Sequence, residues 1–273
     1  TTVAESGDYT VVFSPTYPDY YYGAEKPVHV TVTPREIGDK DITFTYGESF
    51  VYTGKVIIPY IDGEYKYDEN KALGLVENND YTLTYSEDAT NIGKKKITVT
   101  GHGNFGGTTE LEYEITPSTQ TPLIDLELPE NGYVYDGTDK TPSVTVKVNG
   151  TVLTEGKDYE LAYSNNRNAE DGAKVTVTAK GNYGFELIVR YFSIAKADSV
   201  IDTEPASNSF TYDALSHGLL IEGKATGGSF KYKLGDGGWV RDIPKVKDAG
   251  EYTVWYKVAG DSNHNDTGEK SVK

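Results

Sequence analysis

The chain has 273 residues, enough for one large domain or two to three small ones, and its 37% hydrophobic and 12% aromatic content is typical of packed cores. Its 26 basic and 42 acidic residues give a formal net charge of −16, which disfavours binding to nucleic acid or to an anionic membrane surface. There is no Cys, so a disulfide framework and a thiolate metal site are excluded.

Targeting signals are also absent from the sequence. It contains no signal peptide and no apolar run of membrane-spanning length, so we expect no membrane insertion within it. It also contains no Met, and we expect it to be an excerpt from a longer protein.

Segments of similar sequence recur along the chain at regular spacing, which indicates internal repeats. The segment DYTLTYS begins at Asp80 and DYELAYS begins at Asp158, and a looser third copy ends in DAGEYTVWYKV from Asp248. The N-terminus matches only the back half of a copy. We therefore predict the C-terminal half of a repeat at 1–37, complete repeats at 38–117 and 118–196, and a divergent repeat at 197–273. The connectors are short, so adjacent repeats of the chain should touch.

The predicted elements are strands throughout. In the half repeat, a hairpin is expected from residues 9–13 and 28–33. In the next repeat Tyr81, Leu83 and Tyr85 alternate with threonines, as Ile97 and Val99 do further along, and this period of two indicates one apolar and one polar face. Six or seven short strands in roughly 80 residues predict a two-sheet sandwich.

The segment GHGNFGG, residues 101–107, has the G-x-G-x-x-G spacing of a phosphate-binding loop. It lies between two predicted strands, however, whereas a phosphate-binding loop needs a helix after it. The equivalent loops, AKGNYGF and AGDSNHND, break the glycine spacing but keep Asn followed by an aromatic residue or His. We therefore predict a hairpin loop, with the ring capping the end of the sandwich.

Together these motifs resemble the YDG and MBG families of Ig-like repeats, which occur in tandem in large bacterial surface proteins. Tyr135-Asp136-Gly137 carries the YDG signature, and the segments that begin at Tyr52 and Tyr212 are variants of it. The resemblance covers nearly the whole chain and implies an all-β fold of tandem immunoglobulin-like β-sandwich repeats in an elongated row. It implies no shared catalytic residues, and the last repeat departs from the pattern most.

Catalytic and metal sites find little support in the sequence. No pair of acids is singled out among 42, and the four His lie in predicted turns or on strand surfaces, so no enzyme activity and no cofactor are expected. One loop, DSNHNDTGE, begins like an EF-hand, with oxygens at Asp261, Asn263 and Asn265. It lacks the turn glycine and the final Glu, so structural calcium stays an open alternative to an ordinary turn.

A second candidate site is aromatic. In EYTVWYKV the inward residues should be Tyr252, Val254, Tyr256 and Val258, which places Trp255 outward. Trp239 follows a turn, and with Tyr232 these residues are the candidate platform on which a sugar ring could stack. The alternative is that both indoles cover a sheet edge or pack on another repeat.

These patterns favour a non-catalytic stalk or adhesin segment of a bacterial surface protein, extracellular or secreted, which spaces or presents a binding module. The alternative is a carbohydrate-binding module with its aromatic platform in the last repeat. Its partner would be a polysaccharide or a host or cell-surface glycan.

Overall fold

The computed structural model describes residues 5–13 and 26–273. These residues form strands, turns and connecting segments but no helix, which confirms the predicted all-β class. None of them belongs to a helix that could span a membrane. The chain forms two compact units, the first from Thr1–Thr119 with Gly181–Gly184 and the second from Gln120–Lys180 with Phe185–Lys273.

The first unit contains eleven strands in its described part. They are β1 (Gly7–Phe13), β2 (Lys26–Val32), β3 (Arg35–Glu36), β4 (Ile42–Tyr46), β5 (Ser49–Val51), β6 (Ile61–Asp68), β7 (Lys71–Leu75), β8 (Tyr81–Tyr85), β9 (Gly93–Gly101), β10 (Phe105–Gly106) and β11 (Thr108–Thr116). β1 and β2 pair antiparallel, with Val11 opposite Val28, so the predicted pairing of these two segments is confirmed, while the connection between them lies outside the described residues.

Two sheets of the first unit share one core. One has the order β4-β6-β7 and the other the order β5-β11-β9-β8. Ile42 and Leu75 of the first sheet pack with Tyr81 and Val99 of the second. The alternation predicted for β9 is correct, since Ile97 and Val99 are fully buried while the threonines between and after them are only partly so.

The loop between β9 and β11 is a hairpin connection, as predicted. β11 runs antiparallel to β9, with Thr109 opposite Val99. The loop takes the left-handed backbone conformation at Gly103 and Gly107, where φ is 61° and 71°. A strand, not a helix, follows it, so the phosphate-loop interpretation fails.

The second unit contains the other strands of the described chain. Those before residue 197 are β12 (Leu123–Glu127), β13 (Tyr133–Val134), β14 (Ser143–Val148), β15 (Thr151–Val152), β16 (Tyr159–Ser164), β17 (Lys174–Ala179), β18 (Ile188–Tyr191) and β19 (Ile194–Ala195). Two three-stranded sheets, β12-β14-β15 and β16-β17-β18, are formed here. The turn from β14 to β15 is Asn149-Gly150, where φ is 49° and 82°, the positive angles that a tight hairpin turn favours.

The strands after residue 196 are two to four residues long, except for two strands of seven residues. They are β20 (Ala197–Asp198), β21 (Val200–Thr203), β22 (Ala206–Ser207), β23 (His217–Gly218), β24 (Leu220–Ile221), β25 (Lys224–Thr226), β26 (Gly228–Leu234), β27 (Lys245–Val246), β28 (Val254–Gly260), β29 (His264–Asn265) and β30 (Lys270–Val272). The sheet β26-β28-β30 supplies most of the buried residues of this region.

Candidate functional site

A loop with the same two-residue motif occurs three times in the chain. The motif is an Asn followed by a ring, in Asn104-Phe105, Asn182-Tyr183 and Asn263-His264. Each copy lies just after a long strand, namely β9, β17 or β28. The three copies make closely similar contacts, and we call each set of contacts an Asn joint.

The Asn joint at Asn182 lies within the first unit. The Asn182 Oδ1 accepts a hydrogen bond from the backbone N–H of Ile92 at 3.0 Å, and its Nδ2 donates to Oδ1 of Asn91 at 2.8 Å. The backbone carbonyl of Asn182 accepts from the N–H of Ser118 at 3.0 Å. Asn182 is only 9% exposed, so these bonds satisfy an amide that water hardly reaches. The Tyr183 ring meets the Tyr52 ring edge-on, with centroids 5.6 Å apart.

The joint at Asn263 repeats this arrangement in the second unit. Its Oδ1 accepts from the backbone N–H of Ala169 at 2.9 Å, and its Nδ2 donates to Oδ1 of Asn168 at 3.3 Å. Its backbone carbonyl accepts from the N–H of Ala197 at 3.0 Å. The His264 ring lies edge-on to Tyr135, with centroids 5.3 Å apart.

The joint at Asn104 also accepts hydrogen bonds from two backbone N–H groups. The N–H of Ser6 donates to the Asn104 Oδ1 at 2.5 Å, and the N–H of Arg35 donates to the Asn104 carbonyl at 2.8 Å. Phe105 differs from its counterparts because it is buried in the core beside Tyr65. The prediction that the ring after the Asn caps its own repeat therefore holds for Phe105. Tyr183 and His264 instead contact the motif tyrosine of the preceding predicted repeat, Tyr52 and Tyr135 respectively.

Asp88 organises the segment that receives Asn182. Its carboxylate accepts from the backbone N–H groups of Thr90 and Asn91, both at 3.0 Å, and lies 3.2 Å from the Lys95 ammonium. The N–H bonds and the lysine hold the pKa of the Asp88 carboxyl well below its usual range. This turn presents the Ile92 N–H to the loop.

Lys95 is buried although it lies in a run of three lysines. Its run with Lys94 and Lys96 suggests a solvated sheet edge, but β9 lies between β8 and β11 in the sheet. Lys95 points inward and is 6% exposed, while Lys94 and Lys96 pair with glutamates of β11. Because successive side chains of a strand point to opposite faces, the middle lysine of the run faces the core while its two neighbours face outward.

The three predicted calcium ligands lie in or beside the last Asn joint. The Asp261 carboxylate accepts from the N–H of Asn263 at 2.8 Å and lies 2.7 Å from the His264 ring. The Asn263 amide bonds Ala169, and the Asn265 amide donates to Asp198 at 3.1 Å. Among the residues that the structure describes, no group of three or more His, Asp or Glu side chains could hold a metal ion. These contacts are with other groups of the chain, and structural calcium at this loop stays a prediction.

The candidate aromatic platform is only partly as predicted. Of the four residues predicted to face inward, Val254, Tyr256 and Val258 are buried and Trp255 faces outward, whereas Tyr252 precedes β28, is half-buried and lines a cavity. Tyr232 must be removed from the platform, because β26 turns it into the core, where it is 1% exposed.

Trp239 and Trp255 remain on the outer face, both half-buried. The Lys233 ammonium lies 4.9 Å from the Trp239 ring centre and 5.4 Å from that of Trp255. Lys257 lies 5.4 Å from the Trp239 ring centre. The two indoles therefore belong to a cluster with two lysines, in which cation–π contact replaces a bare apolar surface.

A cavity of about 440 Å³ opens in residues 197–273, and sequence analysis missed it. Its lining includes Phe210, Tyr212, His217, Asp248 and Tyr252. The His217 ring stacks on Phe210 and lies 2.9 Å from the Asp213 carboxylate. The sequence feature that points to this cavity is the variant motif Tyr212-Asp213-Ala214. In the other two motifs the corresponding tyrosine, Tyr52 or Tyr135, contacts the ring of an Asn joint.

No protein-family model matches the chain, and no curated protein sequence matches it either. Function is therefore inferred from the geometry of these sites.

Proposed function

We propose that the chain is a non-catalytic stalk or adhesin segment of an extracellular bacterial surface protein, built from tandem Ig-like sandwich repeats of the YDG or MBG type. The observation that carries this proposal is the Asn joint. It recurs three times, at Asn104, Asn182 and Asn263, and each time its partner lies 90 or more residues earlier in the chain.

The joint is suited to holding neighbouring repeats at a fixed angle. The side-chain amide binds one segment while the backbone of the same Asn starts a parallel strand pair with another, as in Ala197–His264. Contacts from two directions restrain rotation, and each net hydrogen bond stabilises by about 0.5–1.5 kcal/mol. A row of repeats restrained in this way keeps its ends apart, which is what a spacer requires. The net charge of −16 favours solubility of such a segment.

Small-angle X-ray scattering of the whole chain tests this proposal. A compact protein of this length has a radius of gyration of about 19 Å, and an elongated row of repeats must exceed that value clearly. The variant Asn182→Ala combined with Asn263→Ala serves as a comparison, because loosened joints should broaden the distance distribution. A radius near the compact value for the parent chain would rule out the stalk.

A glycan-binding role is the second candidate, and the pair Trp239 and Trp255 is the observation that favours it. Both indoles are partly accessible on one outer face of the sheet β26-β28-β30. Lys233 lies over both rings, so a sugar would have to displace its ammonium or bind beside it. Lys233 and Lys257 already lie 3.7 and 2.8 Å from the carboxylates of Glu269 and Asp266, so an acidic polysaccharide would have to displace these partners.

Titration with neutral and acidic polysaccharides, followed by tryptophan fluorescence, tests the glycan role. If the cluster binds a polysaccharide, we expect a saturable change in tryptophan fluorescence that is lost in Trp239→Ala and in Trp255→Ala. Tyr191→Ala is the matched control, since Tyr191 is 71% exposed and lies on β18, away from these strands. Unchanged fluorescence with every polysaccharide would dismiss this candidate and leave the stalk unaffected.

A further inference from the structure

The cavity of residues 197–273 occupies the place where the other repeats receive an Asn joint. In the receiving segments, the residue whose N–H bonds the Asn side chain is Ile92 or Ala169, and the residue before it is Asn91 or Asn168. The same segment of the last repeat, just before Gly250, reads Asp248-Ala249. Both residues line the cavity.

The aromatic side of the receiving site is also present. Tyr52 and Tyr135 contact the ring that follows the Asn, and both are half-buried. Tyr212 is their counterpart in the YxG series, and it lines the cavity with 61% of its surface exposed. Ala249 is exposed, whereas Ala169 is 5% exposed beneath its loop. The last repeat thus has the receiving groups of an Asn joint without an occupant in the described chain.

We infer that this cavity is the docking site for the Asn-aromatic loop of a further repeat of the same kind. The loop Asn would accept a hydrogen bond from the Ala249 N–H and donate one to the Asp248 carboxylate, and the ring after it would pack on Tyr212. This inference rests on the proposed function, because it extends the joint from the interior of the row to its end.

A second copy of this chain is the poorer occupant. Its loops at Asn104, Asn182 and Asn263 are already engaged by Ser6, Ile92 and Ala169. The occupant must therefore be a repeat whose loop is not yet docked.

Charge makes the site selective for Asn. The residues that accept the Asn Nδ2 in the occupied joints, Asn91 and Asn168, are neutral amides, whereas Asp248 carries a carboxylate. A carboxylate accepts the amide N–H more strongly than an amide oxygen does, and it repels an acidic side chain at the same place. An Asp in the loop should therefore dock poorly at neutral pH.

The test uses the whole chain extended after Lys273 by a second copy of residues 196–273. The junction then reads Ser-Val-Lys-Lys-Ala-Asp, which matches the natural Ser-Ile-Ala-Lys-Ala-Asp at 193–198 in length. Hydrogen exchange of the backbone N–H of Ala249 in the original copy is compared with that of the unextended chain. We expect exchange to slow at least tenfold on extension, roughly the effect of 1.4 kcal/mol of protection.

Variants of the appended copy alone identify the contact. Asn263→Ala should restore fast exchange at Ala249, and Asn263→Asp should restore it at neutral pH and less so in acid. Asp236→Ala, at an exposed turn of the same copy, is the matched control and should leave exchange slow.

The Ala169 N–H serves as the internal reference. Fast exchange at Ala249 beside slow exchange at Ala169 would overturn the docking site while leaving the stalk intact. Fast exchange at both would remove the basis of the proposed function as well. Slow exchange at Ala249 that persists in Asn263→Ala would also overturn the inference, because protection would then come from another contact.

Discussion

The Tyr232 hydroxyl is buried in the core of residues 197–273 and has no hydrogen-bond partner among the described residues. The Phe230 ring stacks beside it, with centroids 5.9 Å apart. Burial, together with the charge of Glu222, raises the pKa of Tyr232 to about 12. An unsatisfied buried hydroxyl typically costs about 1–3 kcal/mol, so this tyrosine contributes through its ring and not through its oxygen.

Tyr232→Phe is therefore expected to leave the free energy of unfolding unchanged or to raise it by up to about 1 kcal/mol. Tyr256→Phe is the matched control on the neighbouring strand, because the Tyr256 hydroxyl bonds Glu204 and its loss should cost about 0.5–1.5 kcal/mol. Urea unfolding of both variants measures the difference. A clear destabilisation by Tyr232→Phe would mean that the hydroxyl has a partner.

At the scale of the element, the loop at 261–265 shows how a short segment acquires a role from distant residues. Asn263 bonds the N–H of Ala169, which lies 94 residues earlier and is 5% exposed. A buried N–H that loses its acceptor is costly, since water cannot replace the lost bond.

We expect Asn263→Ala to lower the free energy of unfolding by about 1–3 kcal/mol and to speed hydrogen exchange at Ala169. Asn131→Ala is the control, because Asn131 is exposed and a surface change should stay within about 0.5 kcal/mol. Urea unfolding and exchange of the Ala169 N–H are the measurements. An effect no larger than that of Asn131→Ala would show that the joint does not restrain the chain.

The strands could be predicted from the sequence more completely than the candidate sites could. Ile97, Val99 and the inward set of β28 face the core because alternation by two is a local property of a strand. The prediction for Tyr232 was wrong because the face that a residue takes depends on the register of its own strand.

At the scale of the whole molecule, the 23 tyrosines make the free energy of unfolding depend on pH in the alkaline range. Burial is the main cause that raises the pKa of tyrosines in each of the three predicted repeats after residue 37. These are Tyr81, Tyr85, Tyr113, Tyr159, Tyr163, Tyr232 and Tyr256. A tyrosine whose pKa is raised on folding favours the folded state fully below its unfolded pKa of about 10, and this contribution is lost as the pH rises through the folded pKa.

We therefore expect the free energy of unfolding to fall steeply from about pH 10 upward, with tyrosine ionisation extending to about pH 12. Urea unfolding between pH 8 and the alkaline limit, with tyrosinate absorbance recorded in parallel, measures both quantities. A series at high salt is the control, because it screens the net charge of −16 but not the effect of burial. Ionisation of every tyrosine near pH 10 without loss of stability would contradict this prediction.

The sequence by itself determined the all-β class, the inward positions of Ile97 and Val99 in β9 and of Val254, Tyr256 and Val258 in β28, and the hairpin nature of the loop at 101–107. These are set by side-chain periodicity and by turn residues within a few positions of one another, which act wherever the rest of the chain lies. Only the tertiary structure decided that Asn182 and Asn263 are buried joints, that Tyr232 leaves the aromatic cluster, and that Tyr212, Asp248 and Ala249 line one cavity. Those properties depend on residues tens of positions apart, and they exist only once packing has brought their atoms within contact and excluded water between them.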